Sequence, residues 1–280
     1  MNMRYLLGWF FALFSVISWA AAEDTPAASP SPSPSPASSP EASGAAAKPA
    51  TWFSVNVDGP YIAMTFDDGP SPETTPRLLD ILKQRNIKAT FFMIGQNAER
   101  NPTIVQRILA EGHEIGNHSW THPQLSKLSD DRVTQEINQT QAAIKNASGY
   151  TPVILRPPYG AITARQKDWI EKQFGLSVII WSVDPFDWKR PGASVIEQRI
   201  LAGARPGAII LSHDIHKQTV DAMPATLDAL AQKGFKFVTV SQLIAMNKPK
   251  SSATPSPQSG PSGSPHSSPA KKHAKLAVGG

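Results

Sequence analysis

The chain has 280 residues, with 27 Lys and Arg against 22 Asp and Glu for a formal charge of +5, and it contains no cysteine. Without thiols there is neither a disulfide framework nor a thiolate zinc site, so a bound metal must be held by His, Asp or Glu. The basic excess owes much to the C-terminal lysines, and no basic helix interleaved with aromatic residues is present, which excludes the usual readers of nucleic acid.

Residues 1–22 read as a secretory signal. An early cation (Arg4) precedes an apolar stretch from Leu6 to Ala22, and Ala20-Ala21-Ala22 supplies small residues ahead of Glu23-Asp24. The apolar run also approaches the ~18 residues that span a bilayer, so an uncleaved anchor is the alternative. Export to the periplasm, cell wall or medium is the expectation from the signal reading. Residues 23–50 and 247–280 are rich in Ser and Pro and hold half of the 26 prolines. Neither segment can bury enough apolar surface to offset chain ordering, so both read as disordered spacers, the second one basic. Residues 51–246 are enough for one domain with a substantial core, expected to be monomeric.

Within that domain, apolar runs alternate with stretches of helical period. The strand YIAMTF (61–66) precedes a helix at 74–86, and ATFFMIG (89–95) precedes one at 101–112. HEIGNH (113–118) leads to a helix at 130–147, PVILRP (152–157) to one at 164–174, and SVIIWSV (177–183) to one at 194–203. GAIILSH (207–213), a helix at 221–234 and FKFVTV (235–240) complete the series. Strands alternating with helices, apolar enough for burial on both faces, predict a largely parallel sheet. A closed or nearly closed β/α barrel of about seven strands is the simplest architecture, with a doubly wound open sheet as the alternative.

Reactive side chains gather at the C-terminal ends of these strands, where β/α barrels build active sites: Asp67-Asp68, His118, Arg156, Asp184 and His213. His118 and His122 are spaced to share one face of a helical turn and so to hold a metal, although the spacing alone is a weak signal. With a strand-end carboxylate they would make three ligands and leave a position open, as in catalytic zinc sites. One aspartate of the 67–68 pair would then ligate while its neighbour took a proton from water, the cation offsetting two like charges. A plain strand-end turn is the alternative reading of that pair. Arg156 is placed to orient a carboxylate, and the backbone beyond its prolines to face an oxyanion. His213 suits a general acid if an aspartate keeps it protonated.

Taken together, TFDDGP, HSWTHP, RPPYG, DPFDW and LSHDIH resemble, in this order and spacing, the five motifs of the polysaccharide deacetylase family, also called NodB-homology or carbohydrate esterase family 4. The resemblance runs from about Val57 to Leu243. It implies a distorted (β/α) barrel and metal-dependent removal of acetyl groups from sugars. It implies Asp67 as base, and Asp68, His118 and His122 as ligands of one divalent metal, with zinc expected and cobalt, nickel or manganese open. Arg156 corresponds to the brace of the base, His213 to the general acid and Asp187 to the residue that tunes it. Tyr159 corresponds to a backbone oxyanion donor, and Trp188 and Leu211 to walls around the acetyl methyl. VDPFDW and LSHDIH look most like the peptidoglycan N-acetylglucosamine deacetylase branch, which makes peptidoglycan the expected partner at a cell wall; chitin, poly-N-acetylglucosamine or acetylated xylan are the alternative substrates, and a non-catalytic glycan-binding wall module is the alternative function. His113 is expected to pack or to support the ligands and His216 to lie at the rim or in support; Glu114 is assigned no role, and Trp52, Trp120, Trp169 and Trp181 are expected in the core.

Overall fold

In a computed structural model, residues 51–248 are described; the signal-like segment, the 23–50 linker and nearly all of the tail lie outside them. Among the described residues, no helix is long and apolar enough to cross a membrane. The strands are β1 (Thr51–Trp52), β2 (Tyr61–Asp67), β3 (Thr90–Met93), β4 (Glu114–Asn117), β5 (Ile154–Leu155), β6 (Ser177–Ile179), β7 (Ile209–Ile210) and β8 (Lys236–Phe237). Every ladder between them is parallel, in the order β1-β6-β5-β4-β3-β2-β7, with β8 also paired to β2. Parallel neighbours need crossovers, and these are supplied by α1 (Thr75–Gln84), α2 (Gly95–Arg100), α3 (Pro102–Ala110), α4 (Asp130–Ser148), α5 (Ala164–Phe174), α6 (Ala193–Gly203) and α7 (Lys217–Gln232). The helix α8 (Val240–Ala245) follows the last strand.

The sheet curls without closing into a continuous ladder. Isolated bridges, Ser54 to Ala208 and Val183 to Ile210, join its two ends. This is the distorted barrel, with one strand more than expected. The extra strand, β1, has two residues and is too short to show a period. The 235–240 run was expected to be all strand, but only Lys236–Phe237 pairs. Thr239 instead caps α8, accepting from the Gln242 N–H while Gln242 returns a bond to the Thr239 N–H.

The site rests on the pleat of β2. Ile62, Met64 and Phe66 are fully buried in the cluster that includes Leu78, Leu79 and Leu82 of α1. The alternate residues Ala63, Thr65 and Asp67 share the opposite face. Ala63 there joins a second cluster with Phe92, Ile154, Ile179 and Ile209. Each fully buried Leu, Ile or Phe contributes about 1.5–3 kcal/mol relative to exposure, so the strand ends are anchored by two packed layers. Gly116 of β4 belongs to this packing, because a Cβ there would collide with the Phe92 ring.

Candidate active site

Consecutive side chains of a strand point to opposite faces, yet Asp67 and Asp68 line the same cavity. Asp67 is the last residue of β2; Asp68 adopts φ 74°, which turns the chain where the pleat would have carried it away. A left-handed aspartate is uncommon and needs outside support. Asn97 Nδ2 donates to the Asp68 carbonyl at 2.8 Å, and the Asp68 N–H donates to the Phe92 carbonyl at 3.2 Å. Beneath the turn, fully buried Asp214 accepts from the Thr75 hydroxyl, and it leaves no room for a Cβ on Gly69. Burial, opposed by the Thr75 bond and aided by the charge of Asp68, pushes Asp214 up to about 7.

His118 follows β4 and is buried, with Nδ1 2.7 Å from the Arg156 carbonyl oxygen. That carbonyl can only accept, so the ring proton sits on Nδ1 and Nε2 presents a lone pair. His122 reaches the same place through a turn, not the helix that its four-residue spacing suggested. Ser119 and His122 both have positive φ, 64° and 63°. The two rings lie 4.9 Å apart, centroid to centroid. Burial, foremost, holds the His122 imidazole below its ordinary range, which favours the neutral form that a metal needs.

The Nε2 atoms of His118 and His122 each lie 3.3 Å from Asp68 Oδ1. That oxygen is buried and has no hydrogen-bond partner. An orphaned carboxylate oxygen facing two imidazole nitrogens, all within 4.8 Å of one another, fits a divalent cation. Three protein donors leave coordination positions open, as in catalytic zinc sites.

Asp67 is bound differently. Its Oδ1 accepts from Arg156 Nη1 at 2.7 Å, while Oδ2 lies 3.8 Å from His118 Nε2. Arg156, next after β5, is fully buried and also donates to Thr65 Oγ1 at 2.7 Å and to the Ile180 carbonyl at 3.0 Å. Its guanidinium lies 4.1 Å from the centroid of the Phe92 ring.

Across a parallel bridge from Asp67 stands His213. Its Nδ1 lies 2.8 Å from Asp187 Oδ1, and its N–H donates to Asp187 Oδ2 at 2.7 Å. Asp187 is fully buried and accepts further bonds from the Thr219 hydroxyl and the Trp188 N–H. Burial pulls the His213 imidazole down, but the hydrogen bond and charge of Asp187, helped by Asp67 and Asp68, raise it to about 9.

These groups open onto one cavity of about 400 Å³, walled on its apolar side by Tyr159, Trp181, Trp188 and Leu211. Tyr159 has φ 61° and lies edge-on to His122 at 4.7 Å. Every residue singled out for the chemistry thus lines this cavity or, as with Arg156 and Asp187, holds one that does. Asp184 lines it too, but its carboxylate accepts from the Phe186 N–H rather than from His213. His113 is elsewhere, accepting from the Ala89 N–H, and Glu114 accepts from Thr90 and Ser241. Trp181, expected in the core, is a wall of the site. Thr65 and Asp214 escaped notice. Thr65 was legible as the inward neighbour of Asp67 two residues back, whereas Asp214 gave no signal apart from its motif.

The family model described as Polysaccharide deacetylase matches residues 54–179. The chain is 48% identical over 182 residues to the peptidoglycan-N-acetylglucosamine deacetylase PgdA of Listeria monocytogenes, covering 65% of this chain and 38% of that protein. It is 42% identical over 211 residues to a peptidoglycan-N-acetylglucosamine deacetylase of Bacillus cereus, covering 71% of this chain and 76% of that one. Among solved structures, a peptidoglycan N-acetylglucosamine deacetylase in complex with an N-oxidanyl-benzamide matches with a TM-score of 0.68 at 40% identity, covering 71% of this chain and 95% of the other. The chain therefore spans well under half the length of the Listeria relative and most of the other two.

Proposed function

Because the chain belongs to the polysaccharide deacetylase family, we propose that it is an exported, metal-dependent hydrolase that removes N-acetyl groups from the N-acetylglucosamine residues of peptidoglycan. The observation that carries this reading is the division of labour between adjacent aspartates: Asp68 faces two histidines with an unpartnered oxygen, while Asp67 is held by Arg156. The names of the relatives, the basic tail and the signal-like start support peptidoglycan and the envelope as its setting.

Asp68, His118 and His122 would hold the cation, and zinc suits two imidazoles and one carboxylate, although cobalt, nickel or manganese fit the same donors. When bound, it supplies Lewis acidity to the acetyl carbonyl and to the attacking water. Asp67 is the general base. With Oδ1 fixed by Arg156, its Oδ2 takes the proton as the water oxygen bonds to the acetyl carbon. Tyr159, in its left-handed backbone conformation, offers its N–H to the oxygen that gains charge. His213, kept protonated by Asp187, gives its proton to the sugar nitrogen as the carbon–nitrogen bond breaks, leaving acetate and a free amine. Trp188 and Leu211 flank the acetyl methyl and keep bulk water from that side.

The test is acetate release by the purified protein from peptidoglycan and from N-acetylglucosamine oligomers, first with chelator and then with zinc restored. Release that chelator stops and zinc restores, faster on peptidoglycan, is the expected result. Preference for the oligomers would reassign the substrate, and chelator-resistant release would remove the metal from the chemistry.

A further inference from the structure

The turn that brings His122 to His118 is held from behind by a carboxylate outside all five motifs. Glu136 lies on α4 and is almost fully buried. Its Oε2 accepts from the Trp120 and Thr121 N–H groups, both at 2.8 Å, and its Oε1 accepts from the Thr121 hydroxyl, also at 2.8 Å. Trp120 and Thr121 are two of the three residues between the histidines. The third, Ser119, donates its N–H to Asn117 Oδ1 at 2.9 Å, and its hydroxyl accepts from the His122 N–H at 3.1 Å. On the other side, Gly95 and Gln96 at the start of α2 donate to the Ser119 and Trp120 carbonyls.

A turn with two left-handed non-glycine residues persists only when its surroundings over-determine it. Glu136 provides much of that support, since it alone receives the two middle N–H groups. An apolar residue at this buried position of α4 would leave the Trp120 and Thr121 N–H groups without this partner. Among the described residues Glu136 has no Lys, Arg or His within ion-pair distance, so the polar partners of its carboxyl group are those of the turn.

We infer that Glu136 is a positioning residue of the metal centre, setting the approach of His122 to His118 and Asp68 through the 119–121 turn. The inference rests on the metal reading given above. Partners that bond the ligands themselves alter metal affinity by about 10–100-fold when removed, and Glu136 holds the turn that carries one of those ligands.

The test measures zinc affinity of the full chain by competition with a chromogenic chelator, together with the visible spectrum of the cobalt-loaded protein. Glu136→Gln and Glu136→Ala are compared with wild type and with Leu230→Ala, a core truncation on α7 away from the site. The expected result is zinc binding weakened by about 10–100-fold in Glu136→Ala, with an altered cobalt spectrum, and largely kept in Glu136→Gln, whose amide oxygen still accepts both N–H groups. Leu230→Ala should melt earlier than wild type while keeping wild-type affinity and spectrum. Unchanged affinity and spectrum in folded Glu136→Ala would overturn the inference, as would an equal loss of affinity in Leu230→Ala. If Glu136→Ala does not fold, Thr121→Val removes a single bond to the same carboxylate; a smaller weakening supports the role, and unchanged affinity refutes it. A wild-type protein that binds no zinc would sink the metal reading itself and this inference with it.

Discussion

Arg156 and Asp67 form an ion pair sealed from solvent, with Nη1 2.7 Å from Oδ1 and the arginine side chain wholly buried. The pair joins the end of β2 to the residue after β5, so it fixes both the base and the geometry of the barrel mouth. Breaking such a pair by removing one partner costs about 3–5 kcal/mol, because the other charge stays buried. Arg156→Met is therefore expected to lose that much stability in denaturant unfolding and to lower kcat as well. A variant as stable as wild type would mean that the pair does not hold the scaffold.

The pH dependence follows from Asp187. His213 must be protonated to release the amine, and its imidazole is raised to about 9 chiefly by Asp187 working against burial. Activity should therefore persist at neutral pH and fall as pH rises through the His213 value. A cation at Asp68 offsets the help from Asp67 and Asp68, which places that limb somewhat below 9 in the loaded protein. In Asp187→Asn burial remains and the main support is gone, so the alkaline limb of kcat should move down in pH. A profile that does not move would show that His213 is not the group being titrated.

Metal binding should stabilise the fold as well as enable turnover. A ligand that binds only the native state adds about 2.7 kcal/mol at a hundred times its dissociation constant. Zinc should raise the melting temperature of wild type and leave that of His118→Ala unchanged, since His118 supplies a donor within 3.3 Å of Asp68. An equal rise in both would place the stabilising zinc elsewhere.

Gly116 tests the packing behind Arg156. A Cβ at this position runs into the Phe92 ring, against which the guanidinium rests. Overpacking of this kind costs about 1–3 kcal/mol. Gly116→Ala should lose stability in that range and lower kcat by displacing Arg156. Full stability together with wild-type kcat would mean that Phe92 can yield without consequence.

Much of this architecture is written in local pattern. The β2 run shows apolar residues on both faces, and its inward series ends on Asp67, so strand, register and reactive end are all legible. The helix at 164–174 was legible to the residue, because Thr163 and Gln166 form a capping box and Gly175 ends it. Other features depend on contacts that sequence does not display. The left-handed conformations of Asp68, Ser119 and His122 occur in non-glycine residues, in turns held by Asn97 and Glu136 from distant segments. Spacing alone therefore suggested a helical turn for the histidine pair where a strained loop was built. Glu136, passed over in the sequence, is a charge on the apolar stripe of α4, and the apolar run at 235–240 hid the Thr239–Gln242 box.

The most direct test of the account separates binding from chemistry at the paired aspartates. Zinc content and acetate release from peptidoglycan would be measured together in wild type, Asp67→Asn and Asp68→Asn. Asp67→Asn should retain one zinc and lose about 10²–10⁴-fold in kcat, the usual contribution of a general base, whereas Asp68→Asn should bind zinc poorly and be inactive for that reason. Wild-type turnover in zinc-loaded Asp67→Asn would contradict the assignment of the base and the division of labour on which the mechanism rests.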